Sequence, residues 1–232
     1  MTEPTPAASA APKWRALEAT QRRVLGVLIE KAKTTPAGYP MSVNAIVAGC
    51  NQKNNRDPLT ELDDIEVERA LDGLRQLGAV SEIDWMGRVS KYKHHAYEWM
   101  GVSRAELAVM AELLLRGAQA MGELRGRAAR MEPIEDLAAL KPIVAGLVER
   151  GLMLELSPAG RGQVVSHNLY LEPEKAQLMA DPGAAGSRPA PSHEPSHAAG
   201  PGTEAALAAE VAALRDEVER LRERVSALES KA

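Results

Sequence analysis

Apolar residues recur at helical spacing through the first three quarters of the chain. Val24, Leu25, Leu28 and Ile29 predict an amphipathic helix over about 19–33, and Leu107, Met110, Leu113 and Leu114 predict another over 104–116. Shorter helices are expected over about 42–50, with Ser42 as N-cap, and over 121–128. A third helix opens on Asp63 and Glu66 at capping-box spacing and carries Val67, Ala70, Leu71 and Leu74. The same pattern returns 73 positions later as Leu140, Ile143, Val144 and Leu147, and GLRQLGAVSEI at 73–83 aligns with GLVERGLMLEL at 146–156. Gly78 and Gly151 fall where a helix C-cap needs positive φ. Two hairpins follow: Val80–Trp85 with Val89–His94 around Met86-Gly87-Arg88, and Leu152–Leu156 with Val164–Leu169 around Pro158–Gly162.

Three helices and a hairpin, twice over, predict a mainly α fold with small β-hairpins: two tandem winged-helix domains, at 13–99 and 100–175. Residues 1–12 read as a disordered arm and 176–203, rich in Pro, Gly, Ala and Ser, as a disordered linker. Over 204–231, Leu207, Val211, Leu214, Val218, Leu221, Val225 and Leu228 alternate steps of 4 and 3. Val at a and Leu at d predict a parallel two-stranded coiled coil, and so a homodimer. The cross-strand pairs Glu210–Arg215, Glu217–Arg222 and Arg224–Glu229 are all attractive in that register. The alternative for this stretch is a single amphipathic helix lying on the globular part.

Composition narrows the function. The 232 residues carry a formal net charge of −4, no Phe, and only 3 Trp and 4 Tyr. That excludes proteins that stack single-stranded bases on rows of aromatic rings, and argues against a basic coat for non-specific DNA binding. The single cysteine, Cys50, excludes an internal disulfide framework and metal sites built on cysteine pairs, and its apolar neighbours predict a buried side chain. Neither a signal peptide nor a membrane span is expected, since the densest apolar run, Val24–Ile29, is short, so the expected compartment is cytoplasmic. With no Gly-rich phosphate loop, acid–base pair or metal-ligand cluster, the expectation is a protein without enzymatic activity, cofactor or metal.

The stretch VLGVLIEKAKTTPAGYPMSVNAIVAGCNQKNNRDPL, followed by EVERALDGLRQLGAV, RVSKYKH and AMGELRGRAARM, closely resembles the YceH-like family of bacterial proteins of unknown function. The resemblance covers roughly residues 15–172, and CNQKNNRDP is its most specific string. It implies a pair of winged-helix domains and carries over no activity.

A winged helix reads the major groove with its third helix by default. Here the first such helix carries Asp63, Asp64, Glu66, Glu68 and Asp72 against Arg69 and Arg75. The second offers Glu135, Asp136 and Glu149 against Lys141 and Arg150, with Ala138, Ala139 and Ala145 facing outward. Acidic helices forfeit the phosphate contacts that dominate affinity. Cations lie elsewhere: Lys53 and Arg56 among Asn51, Gln52, Asn54 and Asn55, then Arg88, Lys91 and Lys93 on the first wing, and Arg125, Arg127 and Arg130 in the second domain. The first domain is net +2 over 13–97, the second net −2 over 98–175. The expected function is a DNA-associated regulator that contacts double-stranded DNA through these side chains. Two alternatives stand beside it. The cations can pair internally with the acidic third helices, the polar run then being a turn-former. And the winged helices can serve as a protein–protein scaffold without nucleic acid.

Overall fold

Glu18 and Gln21 exchange the two hydrogen bonds of a capping box and start helix α1 (Ala19–Thr34). The computed structural model describes residues 13–85 and 89–180. Within them α1 is followed by a short 3₁₀ turn (Pro36–Gly38), α2 (Val43–Cys50) and α3 (Asp64–Gln76). The antiparallel pair β1 (Val80–Trp85) and β2 (Val89–His94) comes next, then α4 (Ala96–Met100). The second half repeats the order: α5 (Arg104–Arg116), β3 (Gln119–Ala120), α6 (Met121–Ala128), α7 (Leu137–Glu149), β4 (Met153–Glu155) and β5 (Val164–His167), ending on α8 (Glu172–Ala180). The arm at 1–12, Arg88 and its turn, most of the expected linker and the coiled-coil residues Leu207 to Leu228 lie outside the described residues. Helix α8 itself runs to Ala180, into the stretch expected to be linker.

The two halves match part by part. Ser42 and Asp63 cap α2 and α3; Ser103 and Asp136 cap α5 and α7. Gly78 and Gly151 both have positive φ, 73° and 69°, as the repeat requires. Before α6, β3 adds an edge to β5; before α2, Met41 makes a single bridge to Tyr92 on β2.

Periodicity alone does not predict the burial of the first helices. α1 is buried without a break from Arg22 to Glu30, and α5 from Leu107 to Leu115. The reason is tertiary. α1 packs on α2, α3 and α5, and among the described residues no other two helices are in more extensive contact than α1 and α5. Gly26 sits at this crossing: a Cβ there would lie 3.0 Å from Leu115 Cδ2 and 3.2 Å from Leu114 Cβ. Side chains of both halves therefore join one hydrophobic core, with Leu28, Ile29, Leu71 and Leu74 from the first and Leu107, Met110, Leu113 and Leu147 from the second.

The halves also exchange contacts outside the core. The Leu17 amide donates to the Leu169 carbonyl at 2.9 Å. The Asp57 amide donates to the Leu115 carbonyl at 3.0 Å, while Lys33 on α1 pairs with Glu132 beyond α6 at 3.1 Å. Each half's loop between its second and third helices thus rests on the other half's first helix. No helix among the described residues is long and apolar enough to cross a membrane.

Candidate functional site

The polar run after α2 builds a loop. Asn51 caps α2, donates to the Leu62 carbonyl and accepts from the Leu62 amide, both at 2.8 Å, so it closes the connection to α3. Gln52 Oε1 accepts from Arg56 at 2.8 Å and from Lys31 at 3.4 Å. Asn55 adopts φ 56°, a conformation asparagine tolerates, and its Oδ1 accepts from Arg116 at 2.9 Å. Lys53 and Asn54 alone in this run are exposed.

Arg56 is not available to an external partner. Its side chain is 0% exposed and forks onto Glu30 at 2.5 and 3.2 Å, with Nε donating to the Gly49 carbonyl at 2.9 Å. Arg130 likewise turns inward, bridging Glu30 of α1 and Glu112 of α5, the latter at 3.0 Å. Arg116 Nε faces Glu112 Oε1 at 2.9 Å. Two buried carboxylates, one from each half, are thus enclosed by three guanidinium groups. Burial would raise the Glu30 carboxyl pKa, but hydrogen bonds and charge from Arg56 and Arg130 outweigh it and hold the group below its ordinary range. Burial lowers the Arg116 pKa despite Glu112.

Arg125 donates to the carbonyls of Ile134 and Glu135, and Arg127 donates to Gln119 at 2.8 Å and pairs with Glu123. The alternative of internal pairing placed the acceptors on the acidic third helices. For Arg56 and Arg130 the acceptors are instead Glu30 and Glu112 on the first helices, because α1 and α5 pack against each other. On the first hairpin Lys91 stands opposite Ile83 and Lys93 opposite Ser81, both half-buried. Of the expected contact residues, Arg56 is enclosed, Lys53, Asn54 and Arg130 are exposed, and Arg88 lies outside the described residues.

Two features of the structure were not expected from the sequence. Glu112 interrupts a long apolar run and Glu30 closes one, which was their available signal. The second is a repeated His-x-x-Tyr at the same offset of 73: His94 with Tyr97, and His167 with Tyr170. In each, the histidine Nδ1 accepts from the backbone amide two residues on, at 3.2 Å, and the ring meets the tyrosine. Burial drives the His94 pKa down to about 4, and that of His167 well below its usual value. Cys50 is fully buried, and burial pushes its thiol up to about 12, so no reactive thiolate is present. Among the described residues, no three His, Cys, Asp or Glu side chains are placed to hold a metal ion.

The surface where a winged helix would meet DNA differs between the halves. Beside α3 and β1, a shallow recess is lined by Asp72, Arg75, Gln76, Val80, Ser81 and Glu82, with Arg75 paired to Asp72 and Glu82. Asp63, Asp64, Glu66, Glu68 and Asp72 are all exposed, and Ile65 stands among them at 66% exposure. In the second half a groove of about 570 Å³ runs between α7 and the β4–β5 connection. Its helical wall is Leu137, Lys141, Val144, Ala145, Val148 and Glu149; Met121, Glu155, Ala159, Gly160 and Gln163 complete it. The lining is mostly apolar and small, with two carboxylates and one ammonium.

A family model described as a protein of unknown function, DUF480, matches residues 17–161. A UPF0502 protein of Rhodopirellula baltica is 49% identical over 179 residues, covering 77% of this chain and 76% of its own. One from Citrifermentans bemidjiense is 45% identical over 177 residues, covering 74% and 81%. Another, from Pelobacter propionicus, is 53% identical over 137 residues, covering 58% and 62%. The matched region holds both copies of the repeat and the string CNQKNNRDP, so the chain belongs to the DUF480 family of bacterial UPF0502 proteins.

Proposed function

We propose that this protein is a non-enzymatic interaction scaffold. Its two halves are winged helices used as protein-docking modules, and residues 207–228 dimerise it as a parallel coiled coil. The observation that carries the docking role is the groove on α7. Where a DNA reader presents several cations, this surface presents an apolar floor with Glu149, Glu155 and a single cation, Lys141. The first half supports the same reading, since the outer side of α3 is acidic around Ile65 and suits a basic, partly apolar protein segment. Arg56, Arg116 and Arg130 are held by internal carboxylates and an external phosphate would have to displace them.

Site-specific photo-crosslinking separates this role from DNA binding. A photoreactive amino acid placed in the cell at Ile65 or at Leu137 is expected to give adducts that resist nuclease and are removed by protease. In a mobility-shift titration, duplex DNA is expected to stay unbound from low to high salt. Salt-sensitive binding that Lys53→Glu abolishes would return the function to DNA. Lys53 suits that test because it is exposed, whereas a charge reversal at Arg56 would place a third carboxylate beside Glu30.

A further inference from the structure

The ridge that α7 turns outward has a symmetry of its own. Leu137, Lys141, Ala145 and Glu149 follow one another at steps of four, so they stack along one side of the helix, and all four are exposed. Lys141 and Glu149 carry opposite charge and stand equally far from Ala145 on either side. Among the described residues neither makes an ion pair. Ala145, the smallest side chain of the four, sits at the midpoint, where two helices could approach most closely.

We infer that a second copy of this chain covers this face, the two α7 helices packing antiparallel about a twofold axis at Ala145. The inference deepens the proposed docking role of the groove and rests on it. In that arrangement Lys141 of each copy meets Glu149 of the other, so both charges are answered twice by one contact, as an isologous interface requires. Leu137, 45% exposed in the single chain, is carried past the partner's Ala145 toward the far end of its groove, by Val148 and Glu155. Apolar surface and charge are then satisfied by the same register.

The first half shows why the pairing belongs to α7. At the repeat offset of 73, the corresponding ridge of α3 is Asp64, Glu68, Asp72 and Gln76. Three carboxylates along that ridge repel a second copy of themselves, so α3 is left for a partner of opposite charge while α7 is self-complementary.

The test uses the full chain carrying Leu214→Glu and Leu221→Glu, which removes association through the coil. Sedimentation velocity is expected to show a concentration-dependent dimer. Lys141→Glu or Glu149→Lys alone should weaken it about tenfold through lost and newly repulsive pairs, and the double variant should restore it. Ala145→Cys should form a disulfide-linked dimer on mild oxidation, whereas Asp72→Cys, at the matching place on α3, should not. A monomer at all concentrations, or charge reversals that leave the association unchanged and a double variant no better than either single, overturns the inference. The same variants are titrated with duplex DNA. A monomer that binds no DNA ends the self-pairing alone, whereas salt-sensitive DNA binding lost on Lys141→Glu ends the docking role as well.

Discussion

His94 and His167 hold their backbone only while the rings are neutral, because a protonated Nδ1 cannot accept the amide hydrogen bonds of Ala96 and Leu169. His94 also lies near Tyr39 and Tyr97, with ring centroids 5.9 and 6.0 Å away. Burial, aided by His95 and Lys33, keeps its folded pKa at about 4, whereas an unfolded histidine takes its proton near 6.5. The sign follows: the stability is fully present above about pH 6.5 and is lost as the pH falls toward 4, on the order of 2–3 kcal/mol. Urea unfolding midpoints measured from pH 7.5 to 4.5 should therefore drop, and His94→Gln should flatten the curve. Equal slopes in the two proteins would mean that His94 does not carry the acid sensitivity.

At the level of elements, the crossing of α1 and α5 depends on one missing side chain. A Cβ on Gly26 would stand 3.0 to 3.2 Å from Leu115 and Leu114, closer than side chains settle without moving. Gly26→Val adds branches where even the first carbon is tight, and should cost about 1–3 kcal/mol or more. That loss is read in the denaturation midpoint. A valine accepted at no cost would show that the helices can separate freely. In a helix exposed on one side, the same glycine would instead be a weak point that a larger residue improves.

In the whole molecule the halves are joined by charge as well as by apolar packing. Glu30 and Glu112 are 2% and 0% exposed, and Arg130 spans them from the second half's loop. Removing Glu30 leaves the buried Arg56 guanidinium without a carboxylate, which costs far more than an exposed ion pair is worth. Glu30→Ala is expected to destabilise the protein by about 3–5 kcal/mol. Native-state hydrogen exchange should show the loss equally in α3 and α7, elements of different halves. Protection lost from α3 alone would mean that the halves unfold independently.

Much of the fold was legible in the sequence because helices and hairpins follow local rules. Ser42 and Asp63 cap by side-chain chemistry, Gly78 and Gly151 meet a backbone demand, and periodicity marks the inward positions of α3 and α7. The family, too, was legible in strings such as CNQKNNRDP. The candidate site was legible only in its residue types. Lys53 and Arg56 look alike at three positions' distance, yet one faces solvent and the other is fully enclosed. What separates them is Glu30, twenty-six positions upstream of Arg56, and the crossing of α1 with α5 that brings Glu112 and Arg130 to the same place. A one-dimensional pattern records the sign of a charge and the face of its helix. Which opposite charge it meets, and whether water remains beside it, is decided by packing between distant segments, and in this protein that packing enclosed Arg56 and left Lys53 in solvent.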